Sequence, residues 1–570
     1  MPVSSPIPDV LIPNVDVPTF FFAKAQVQID AFAAAGVSEP PVVIDAASGR
    51  SVCLSDIKRS AQAIARGLTA LLPSDHSTDR TVLVLLRNNI LYTSIHHGIL
   101  MAGCSHASLP PELDPHELAD RLTQIGPASV VAAFVEDDAI DALLSATKTA
   151  GVRLPTSAIF NITGDQTHTA LDDMIQENVD KPFTPYPFTS DALASMPALV
   201  IYTSGTSGTP KGIILTHRNI LASNAMVGSY SARTAPIQDH HPPSVPDANT
   251  PRNAVQCGTL SALQPSHIYG HYVLSYMPLT HSGCIVILDH FTTHAYLDAI
   301  DRFRIMRISA TPRMLHTLLS ETTKVNTSTA QLRDHPNTRF RIDSVVAVGC
   351  GGSPLPPSLK LKYSEYFGGA PVIVGYGQTE SSSVIAGSSW GIPAAPGAIG
   401  ILYPNTTAKV VDAKGNETKE LGELCISGPH VMKSYVGNVQ SPIVDGFLHT
   451  GDYARLNPEG HVFLHGRVAD VIYTSQGTII PTDIEAILGD NPSIVDSAVV
   501  GVGAKGEAQA VVFLVLAPSN VPKTQALADV SQAVRSYTGI PDIVCQETTS
   551  IPKTGSGKIF RFRLLDLIHR

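Results

Sequence analysis

One loop constrains this chain more than any other stretch, because it interrupts an apolar pattern with residues suited to binding an anion. Residues 198–201 are an apolar run that predicts a buried strand, and residues 213–217 return to a strand-like or helix-entering pattern. Glycine lets backbone N–H groups turn toward a ligand, hydroxyl groups add donors, and lysine adds positive charge. The loop between the two runs has all three: Thr203, Ser204, Gly205, Thr206, Ser207, Gly208, Thr209, Lys211 and Gly212. It is therefore predicted to enclose a polyphosphate.

A flexible linker is the alternative explanation of such a composition. Two features argue against a linker: the loop directly joins two apolar segments, and it ends in a stiffening Pro210-Lys211-Gly212. The spacing also departs from the G-x-x-x-x-G-K-[ST] pattern of nucleotide triphosphatases, because Gly205 and Gly208 lie too close together. In this loop the chain resembles the adenylate-forming enzymes, a superfamily that includes acyl-CoA synthetases, coumarate-CoA ligases, luciferases and peptide-synthetase adenylation domains.

Length and charge limit the class of protein further. At 570 residues the chain is too long for a single hydrophobic core, and its 44% apolar and 15% charged residues are typical of a globular protein. A net charge of −10 argues against nucleic acid as a main partner. Any anionic substrate must therefore be held by local positive charge.

The cysteines and the chain ends predict a cytoplasmic protein. The seven cysteines lie far apart without a C-x-x-C pair, which favours reduced thiols. The first residues contain proline and aspartate where a secretion signal needs a basic and then an apolar segment, and the last three residues do not form a peroxisomal signal. No run of eighteen apolar residues occurs, so no membrane span is expected.

The order of elements predicts an α/β fold. Helical patterns at 54–72 and 90–102 alternate with buried strand patterns at 81–86 and 129–134, which indicates parallel-type sheets covered by helices. Residues 1 to about 60 are rich in proline and aromatic residues and are predicted to form a wrapping arm. The resemblance implies a large multi-lobed N-terminal domain at residues 1–466 that binds AMP and the acid. It also implies a small mobile α+β lid domain at residues 467–570.

A second motif resembles the acid pocket of the coumarate-ligase branch. His267 is followed by Tyr269 and Gly270, and this histidine-aromatic-glycine turn lines the acid pocket in that branch. Amino-acid adenylation domains tend to place an aspartate near this point to hold the substrate ammonium, and none is present here. The resemblance therefore implies a carboxylic acid without an α-amino group, bounded also by Gly351.

Further motifs of the family follow in the expected order. A strand pattern at 344–348 leads into Gly351, Gly352 and Ser353, which match a turn beside the adenine and the acid. In the next motif, the family assigns Tyr376 to the adenine, Thr379 to the α-phosphate and Glu380 to Mg²⁺, and Gly377 is a further nucleotide-binding match. The remaining matches are the ribose ligand Asp452, the nucleotide-contacting Arg467 and the catalytic lysine, Lys558.

Two positions depart from the family pattern. Ala469 stands at the hinge position that is usually aspartate or lysine, and Gln476 stands where the coumarate-ligase pattern has a glycine that lines the thiol tunnel. The hinge lets the lid domain swing in this family. These departures concern the second half-reaction and leave the first unaffected.

The resemblance implies a two-step ligase. A carboxylate attacks the α-phosphorus of ATP to give an acyl-adenylate, with Lys211, Thr379, Glu380 and Lys558 as the catalytic residues and Mg²⁺ as the metal. The acyl group then passes to the thiol of CoA. One alternative is an acyl-AMP ligase that loads the phosphopantetheine of a separate carrier protein. A catalytically silent homologue that binds nucleotide or acid is the alternative from another class. His267, Tyr269 and Gly351 suggest room for an aryl or medium-length aliphatic acid, without a charge-pairing residue for a second carboxylate.

Overall fold

The structure is a computed structural model that describes residues 2–72, 80–162, 168–203, 210–234, 258–280, 283–323, 340–388, 394–437, 439–489, 491, 493–517, 523–540, 543–553 and 559–568. Its helices are α1 Val17–Ala34, α2 Leu54–Leu71, α3 Tyr92–Met101, α4 Pro115–Ile125, α5 Ile140–Ala150, α6 Leu171–Asn178, α7 Ser190–Ser195, α8 His217–Thr234, α9 Ile268–Ser275, α10 Met277–Thr280, α11 Thr293–Phe303, α12 Pro312–Thr323, α13 Pro357–Tyr366, α14 Pro481–Gly489, α15 Lys523–Thr538 and α16 Arg561–Leu565.

The strands are β1 Val3–Ser4, β2 Val43–Asp45, β3 Ser51–Val52, β4 Thr81–Leu85, β5 Ser105–Ser108, β6 Val130–Val135, β7 Ile159–Asn161, β8 Thr169–Ala170, β9 Pro197–Thr203, β10 Lys211–Thr216, β11 Thr259–Ser261, β12 Ile285–Ile287, β13 Arg307–Ala310, β14 Ala347–Cys350, β15 Val372–Tyr376, β16 Ala386–Gly387, β17 Gly400–Leu402, β18 Thr407–Val411, β19 Gly422–Ser427, β20 Ser434–Tyr435, β21 Ile443–Val444, β22 Phe447–Leu456, β23 His461–Arg467, β24 Ile472–Thr474, β25 Gly477–Ile479, β26 Ile494–Val502, β27 Gln509–Leu516 and β28 Ile543–Glu547.

Two large sheets build the N-terminal part. The first has the order β20-β10-β9-β5-β4-β6-β7-β8, and its strands from β9 to β8 are parallel. The second has the order β1-β18-β19-β22-β23-β17-β16-β15-β14-β13-β11-β12-β2-β3, parallel from β15 to β2 and antiparallel from β1 to β16. The strands predicted from the alternating pattern, β4 and β6, are buried in the first sheet. The structure thus confirms the mixed α/β architecture.

The C-terminal part has its own small core. Strands β26, β27 and β28 form one sheet, and α14 and α15 pack on it around a cluster that includes Val499, Val512 and Val530. The predicted boundary after residue 466 falls one residue before the end of β23, whose last residue, Arg467, still pairs with Asp452 in the large sheet. The boundary itself remains a prediction.

Two local predictions need correction. The predicted N-terminal arm contains the eighteen-residue helix α1, which begins where the Asp16 carboxylate accepts the Thr19 N–H and Pro18 occupies the first turn. Its residue Phe21 is fully buried. The thiols are not uniformly reduced, because Cys284 is disulfide-bonded.

No helix in the described ranges is long and apolar enough to cross a membrane.

Candidate nucleotide and acid site

The predicted phosphate loop joins two antiparallel strands of the first sheet. Thr203, at the end of β9, pairs with Lys211, at the start of β10. Residues 204–209, which include the predicted ligands Ser204, Gly205, Thr206, Ser207, Gly208 and Thr209, lie outside the described residues. The ends of the loop are fixed, because Gly212 is packed against Tyr202 and its carbonyl oxygen accepts the Val436 N–H at 2.7 Å. Lys211 is therefore held at the base of the loop.

A tyrosine links Lys211 to the predicted metal ligand. The two-residue strand β20 pairs with β10 and brings Tyr435 beside Lys211, whose Nζ lies 5.3 Å from the centre of the Tyr435 ring. The Tyr435 hydroxyl donates to Glu380 Oε1 at 3.1 Å, and burial together with this carboxylate raises the pKa of Tyr435. Glu380 is half-buried in a short turn after β15, and its carbonyl oxygen accepts the Met432 N–H at 2.7 Å. A half-buried carboxylate such as Glu380 is a suitable ligand for Mg²⁺, and the lysine on the other side of Tyr435 is suited to phosphate oxygens.

The predicted ribose ligand is surrounded by three donors. The Tyr376 hydroxyl donates to Asp452 Oδ2 at 2.6 Å, Gln378 Nε2 lies 3.3 Å from the same oxygen, and Arg467 Nε lies 3.2 Å from Oδ1. The Asp452 side chain is 10% exposed. Gln378 and Arg467 also donate to the Thr450 carbonyl oxygen, at 3.2 and 3.0 Å. The carboxylate is thus held in one orientation next to the motif that carries Glu380.

Tyr376 has a contact that its predicted role did not include. Burial, followed by the neighbouring Asp452 carboxylate, raises the pKa of Tyr376 well above its ordinary value, so its hydroxyl stays protonated and donates. The adenine contact assigned to Tyr376 and the nucleotide contact assigned to Gly377 stay predictions. Gly377 has a packing role of its own, because a Cβ there would lie 1.9 Å from the Ser383 carbonyl oxygen. The close approach fixes the turn that presents Thr379, which is buried, and Glu380.

The predicted acid pocket lies at the carboxyl ends of β14 and β15. A Cβ on Gly351 would lie 3.5 Å from the Gly375 carbonyl oxygen and 3.7 Å from the Tyr269 ring, so these three residues are neighbours. Burial raises the pKa of the Tyr269 hydroxyl, which also bonds Ser309. Gly375, which sequence reasoning did not select, is exposed although it lies in a sheet, and a Cβ there would meet nothing within 4 Å. Gly351 thus brings bare backbone next to the Tyr269 ring, and Gly375 has open space at its Cβ position.

The other predicted pocket residues differ in their surroundings. His267 is exposed and precedes the first residue of α9. Gly270 packs against backbone, since a Cβ there would lie 2.0 Å from the Gln264 carbonyl oxygen. Gly352 has a φ of 90° and is exposed, and Ser353 beside it is half-buried. Gly270 is therefore required by the packing of α9, and the places of Gly270 and His267 in the acid pocket stay predictions.

The predicted catalytic lysine, Lys558, lies outside the described residues, but the segments on both sides of it are placed. Lys553 pairs with Ile559 across the intervening residues, and Lys553 Nζ lies 2.6 Å from Asp496 Oδ2. Arg561 contacts Asp470 at 3.1 Å and binds both carboxylate oxygens of Glu485, at 2.5 and 3.0 Å. The departures from the family pattern are exposed: Ala469 in the turn after β23 and Gln476 in the β24–β25 hairpin.

The fold and the site together define an adenylate-forming enzyme. The AMP-binding enzyme family matches residues 30–436, and the AMP-binding enzyme C-terminal domain matches residues 483–558. The chain therefore belongs to the AMP-binding enzyme family.

Relatives and solved structures of similar length align with almost the whole chain. The 4-coumarate-CoA ligase-like protein 3 of Oryza sativa subsp. japonica is 26% identical over 94% of this chain and 88% of its own length. Peroxisomal OPC-8:0-CoA ligase 1 of Arabidopsis thaliana is 24% identical over 99% of this chain and 95% of its own length. The crystal structure of ATP-bound MatB from Rhodopseudomonas palustris has a TM-score of 0.76 at 20% identity, over 96% of this chain and 98% of that chain.

Sequence reasoning missed Tyr435, Gln378 and Gly375. Gln378 and Gly375 lie within or next to a recognised motif, so a search for every polar or side-chain-free position around Tyr376 would have found them. No local pattern marks Tyr435, which depends on the pairing of β20 with β10.

Proposed function

We propose that this protein is an ATP-dependent acid–thiol ligase that forms an acyl-adenylate and transfers the acyl group to CoA. One observation carries the proposal: Lys211 lies over the ring of Tyr435, the Tyr435 hydroxyl donates to Glu380, and Gln378, two residues before Glu380, reaches the Asp452 carboxylate. These contacts support a single site that includes the base of the phosphate loop and the ribose carboxylate. Membership of the AMP-binding enzyme family and the CoA ligases among its relatives support the same chemistry.

In the first step, a carboxylate oxygen of the acid attacks the α-phosphorus of ATP. A P–O bond forms to the acid, the bond to the β-phosphate oxygen breaks, and pyrophosphate leaves. Lys211 holds the leaving phosphates, Thr379 donates to the α-phosphate, and Asp452 accepts hydrogen bonds from the ribose hydroxyls. A magnesium ion held by Glu380 would neutralise charge on the phosphate oxygens. Lys558 is proposed to stabilise the charge that grows at the α-phosphate.

In the second step, the thiolate of CoA attacks the acyl carbon. A C–S bond forms, the C–O bond to the phosphate breaks, and AMP leaves. The lid domain is proposed to move between the steps, so that Lys558 withdraws and the thiol can enter. Ala469 stands at the proposed hinge of this movement, and Gln476 stands at the proposed tunnel for the thiol.

The acid pocket favours an acid with an apolar body. Tyr269, Gly351 and Gly375 provide a ring face and two positions without side chains, which suits an aryl or a medium-length aliphatic acid. Glycine-to-valine substitution at Gly375 is expected to lower kcat/KM for the bulkiest accepted acid at least tenfold and to leave the smallest acid nearly unaffected.

The decisive experiment is acid-dependent exchange of pyrophosphate into ATP over a panel of aryl and aliphatic acids. Lys211→Ala is expected to reduce exchange by orders of magnitude. The matched control is Lys409→Ala, which removes another lysine that packs on an aromatic ring, with Nζ 4.4 Å from the centre of Phe447. Exchange with no acid in the panel would favour the silent homologue, and exchange unaffected by Lys211→Ala would overturn the assignment of the phosphate loop.

A second assay separates the two acceptors. Release of acyl-CoA on addition of free CoA supports the ligase. Accumulation of acyl-AMP with CoA, and turnover only with a phosphopantetheine-bearing carrier protein, would support the acyl-AMP ligase instead. A cytoplasmic location is proposed as well, and microscopy of a fluorescently tagged chain would test it.

A further inference from the structure

The strand that carries Asp452 contains a bulge, and the proposed ribose carboxylate is part of it. Strands β19 and β22 are antiparallel, and their register pairs Glu423 with Tyr453 and Cys425 with His449. Between these pairs, a single residue of β19 faces residues 450–452 of β22. Two extra residues therefore loop out of β22, and a bulge of this kind redirects the side chains it carries. Asp452 therefore lies on an irregular part of the strand, whose backbone must be held in place for the carboxylate to keep its position.

Side chains stabilise the bulge from both strands. The Thr450 hydroxyl donates to the Leu424 carbonyl oxygen at 2.7 Å and accepts the Asp452 N–H at 3.1 Å. Gly451 has a φ of 69°, which favours glycine, and its N–H donates to Glu423 Oε1 at 3.0 Å. Glu423 therefore supplies the acceptor that a regular strand ladder would otherwise provide for Gly451.

The second oxygen of Glu423 is also bonded. His449 Nδ1 lies 2.9 Å from Glu423 Oε2, and the two side chains are 29% and 23% exposed. A carboxylate only accepts hydrogen bonds, so His449 donates. The carboxylate thus bridges an imidazole before the bulge and a backbone N–H inside it, which fixes its position on both sides.

A metal site is the competing explanation of this cluster. Donor atoms of Glu423, Cys425 and His449 lie within 4.8 Å of one another. However, burial raises the pKa of Cys425 to about 12, which disfavours the thiolate that a metal requires, and both oxygens of Glu423 already accept hydrogen bonds. The contacts fit a structural support better than a metal ligand set.

We infer that Glu423 is a positioning residue for nucleotide binding, acting through the bulge to hold Asp452 toward the ribose. The inference rests on the proposed function, in which Asp452 accepts the ribose hydroxyls. Without the Glu423 carboxylate, the Gly451 N–H loses its acceptor and the extra residues of β22 can rearrange. Asp452 then leaves the position that favours the ribose, while the acid pocket on β14 and β15 is unaffected.

The test compares ATP with 3′-deoxy-ATP in acid-dependent pyrophosphate exchange by the full-length chain. Wild type is expected to prefer ATP at least tenfold in kcat/KM, because a hydrogen bond to a carboxylate is lost with the deoxy nucleotide. Glu423→Met retains the side-chain volume but not the acceptor, and should raise the KM for ATP about tenfold and reduce this preference several-fold, with the KM for the acid unchanged. Glu423→Gln retains an acceptor for Gly451 and should restore most of the preference.

Controls distinguish support of Asp452 from a general loss of stability. Glu417→Gln removes a carboxylate beside Lys409 in the same sheet, 4.0 Å from its Nζ, and should behave as wild type. Thr450→Val removes the other side-chain support of the bulge and serves if Glu423→Met does not fold. It is expected to reduce the preference for ATP in the same way.

Asp452→Asn makes the two possible failures distinguishable. If this variant keeps the full preference for ATP over 3′-deoxy-ATP, the proposed ribose contact is wrong. If Asp452→Asn loses the preference while Glu423→Met and Thr450→Val keep it, the ribose contact stands and the positioning role of Glu423 is refuted. In support of the inference, Glu423→Met should add no further loss of preference in the Asp452→Asn background.

Discussion

The hydroxyl of Tyr376 offers the sharpest test of how the ribose carboxylate is held. Tyr376→Phe keeps the ring and removes only the shortest of the three contacts to Asp452, at 2.6 Å, and leaves those of Gln378 and Arg467 at 3.3 and 3.2 Å. Hydrogen bonds to charged groups contribute about 1.5–3 kcal/mol. At about 1.4 kcal/mol per tenfold change in affinity, we expect the KM for ATP to rise roughly ten- to a hundredfold.

The assay is acid-dependent pyrophosphate exchange as a function of ATP concentration. Tyr230→Phe is the matched control, because it removes a buried tyrosine hydroxyl that donates to the neutral Gly387 carbonyl oxygen at 2.8 Å. It should lower the free energy of unfolding by about 1 kcal/mol and leave the KM for ATP unchanged. If Tyr376→Phe binds ATP as wild type does, the ring alone carries the role of Tyr376 and the argument from its hydroxyl is wrong.

Three further predictions concern stability and the turn that carries Glu380. Burial lowers the pKa of His97 to about 4 and of His271 to about 3, from 6.5. Below pH 6.5 the unfolded chain therefore binds more protons than the folded one, and each residue should reduce the free energy of unfolding by up to about 1.4 kcal/mol for each unit by which the pH falls. Denaturant titration between pH 7.5 and 5 measures this loss, and a flat profile would contradict it. Arg561→Ala leaves the buried Glu485 carboxylate without its bidentate partner and should destabilise the C-terminal part by about 3–5 kcal/mol, seen as faster limited proteolysis, whereas equal proteolysis would refute it. Gly377→Ala places a methyl group 1.9 Å from a carbonyl oxygen and should reduce pyrophosphate exchange at least tenfold, so a fully active variant would show that the turn is adaptable.

Motifs that are contiguous in the sequence supplied most of the residues of the candidate site. Lys211, Glu380, Asp452 and Arg467 were selected from short patterns. In the structure Tyr435 contacts both Lys211 and Glu380, and Arg467 contacts Asp452. Their spatial arrangement was implied by the family resemblance and not by periodicity, because a strand pattern does not specify its neighbour in a sheet. Tyr435 shows this limit: it reaches Glu380 only because β20 pairs with β10, and no signal near residue 435 indicates that pairing.

Other differences have local physical causes. Helix α1 was predicted as part of an arm because the segment is rich in proline and aromatic residues. Asp16 as the N-cap and Pro18 in the first turn are nevertheless signals for the start of a helix. The strand expected at 344–348 begins at Ala347, because the Val345 N–H bonds back to the Ile342 carbonyl oxygen in a turn. Gly270 is a packing residue, which a motif cannot reveal, because close backbone approach and ligand approach both require a missing Cβ.

A physical path connects the ribose carboxylate to the segment that precedes and follows Lys558. Arg467 binds Asp452 through Nε and the Thr450 carbonyl oxygen through Nη1, and it ends the last strand of the large sheet. Three residues later, Asp470 contacts Arg561, which begins α16. Asp470 and Arg561 both lie in the proposed lid domain, and Asp470 belongs to the turn directly after the strand that ends in Arg467. If the lid rotates at residues 468–470 as proposed, we expect the Arg467 contacts with Asp452 and Thr450 to change with it, which would link ribose binding to lid position. This linkage does not require an acidic or basic side chain at Ala469.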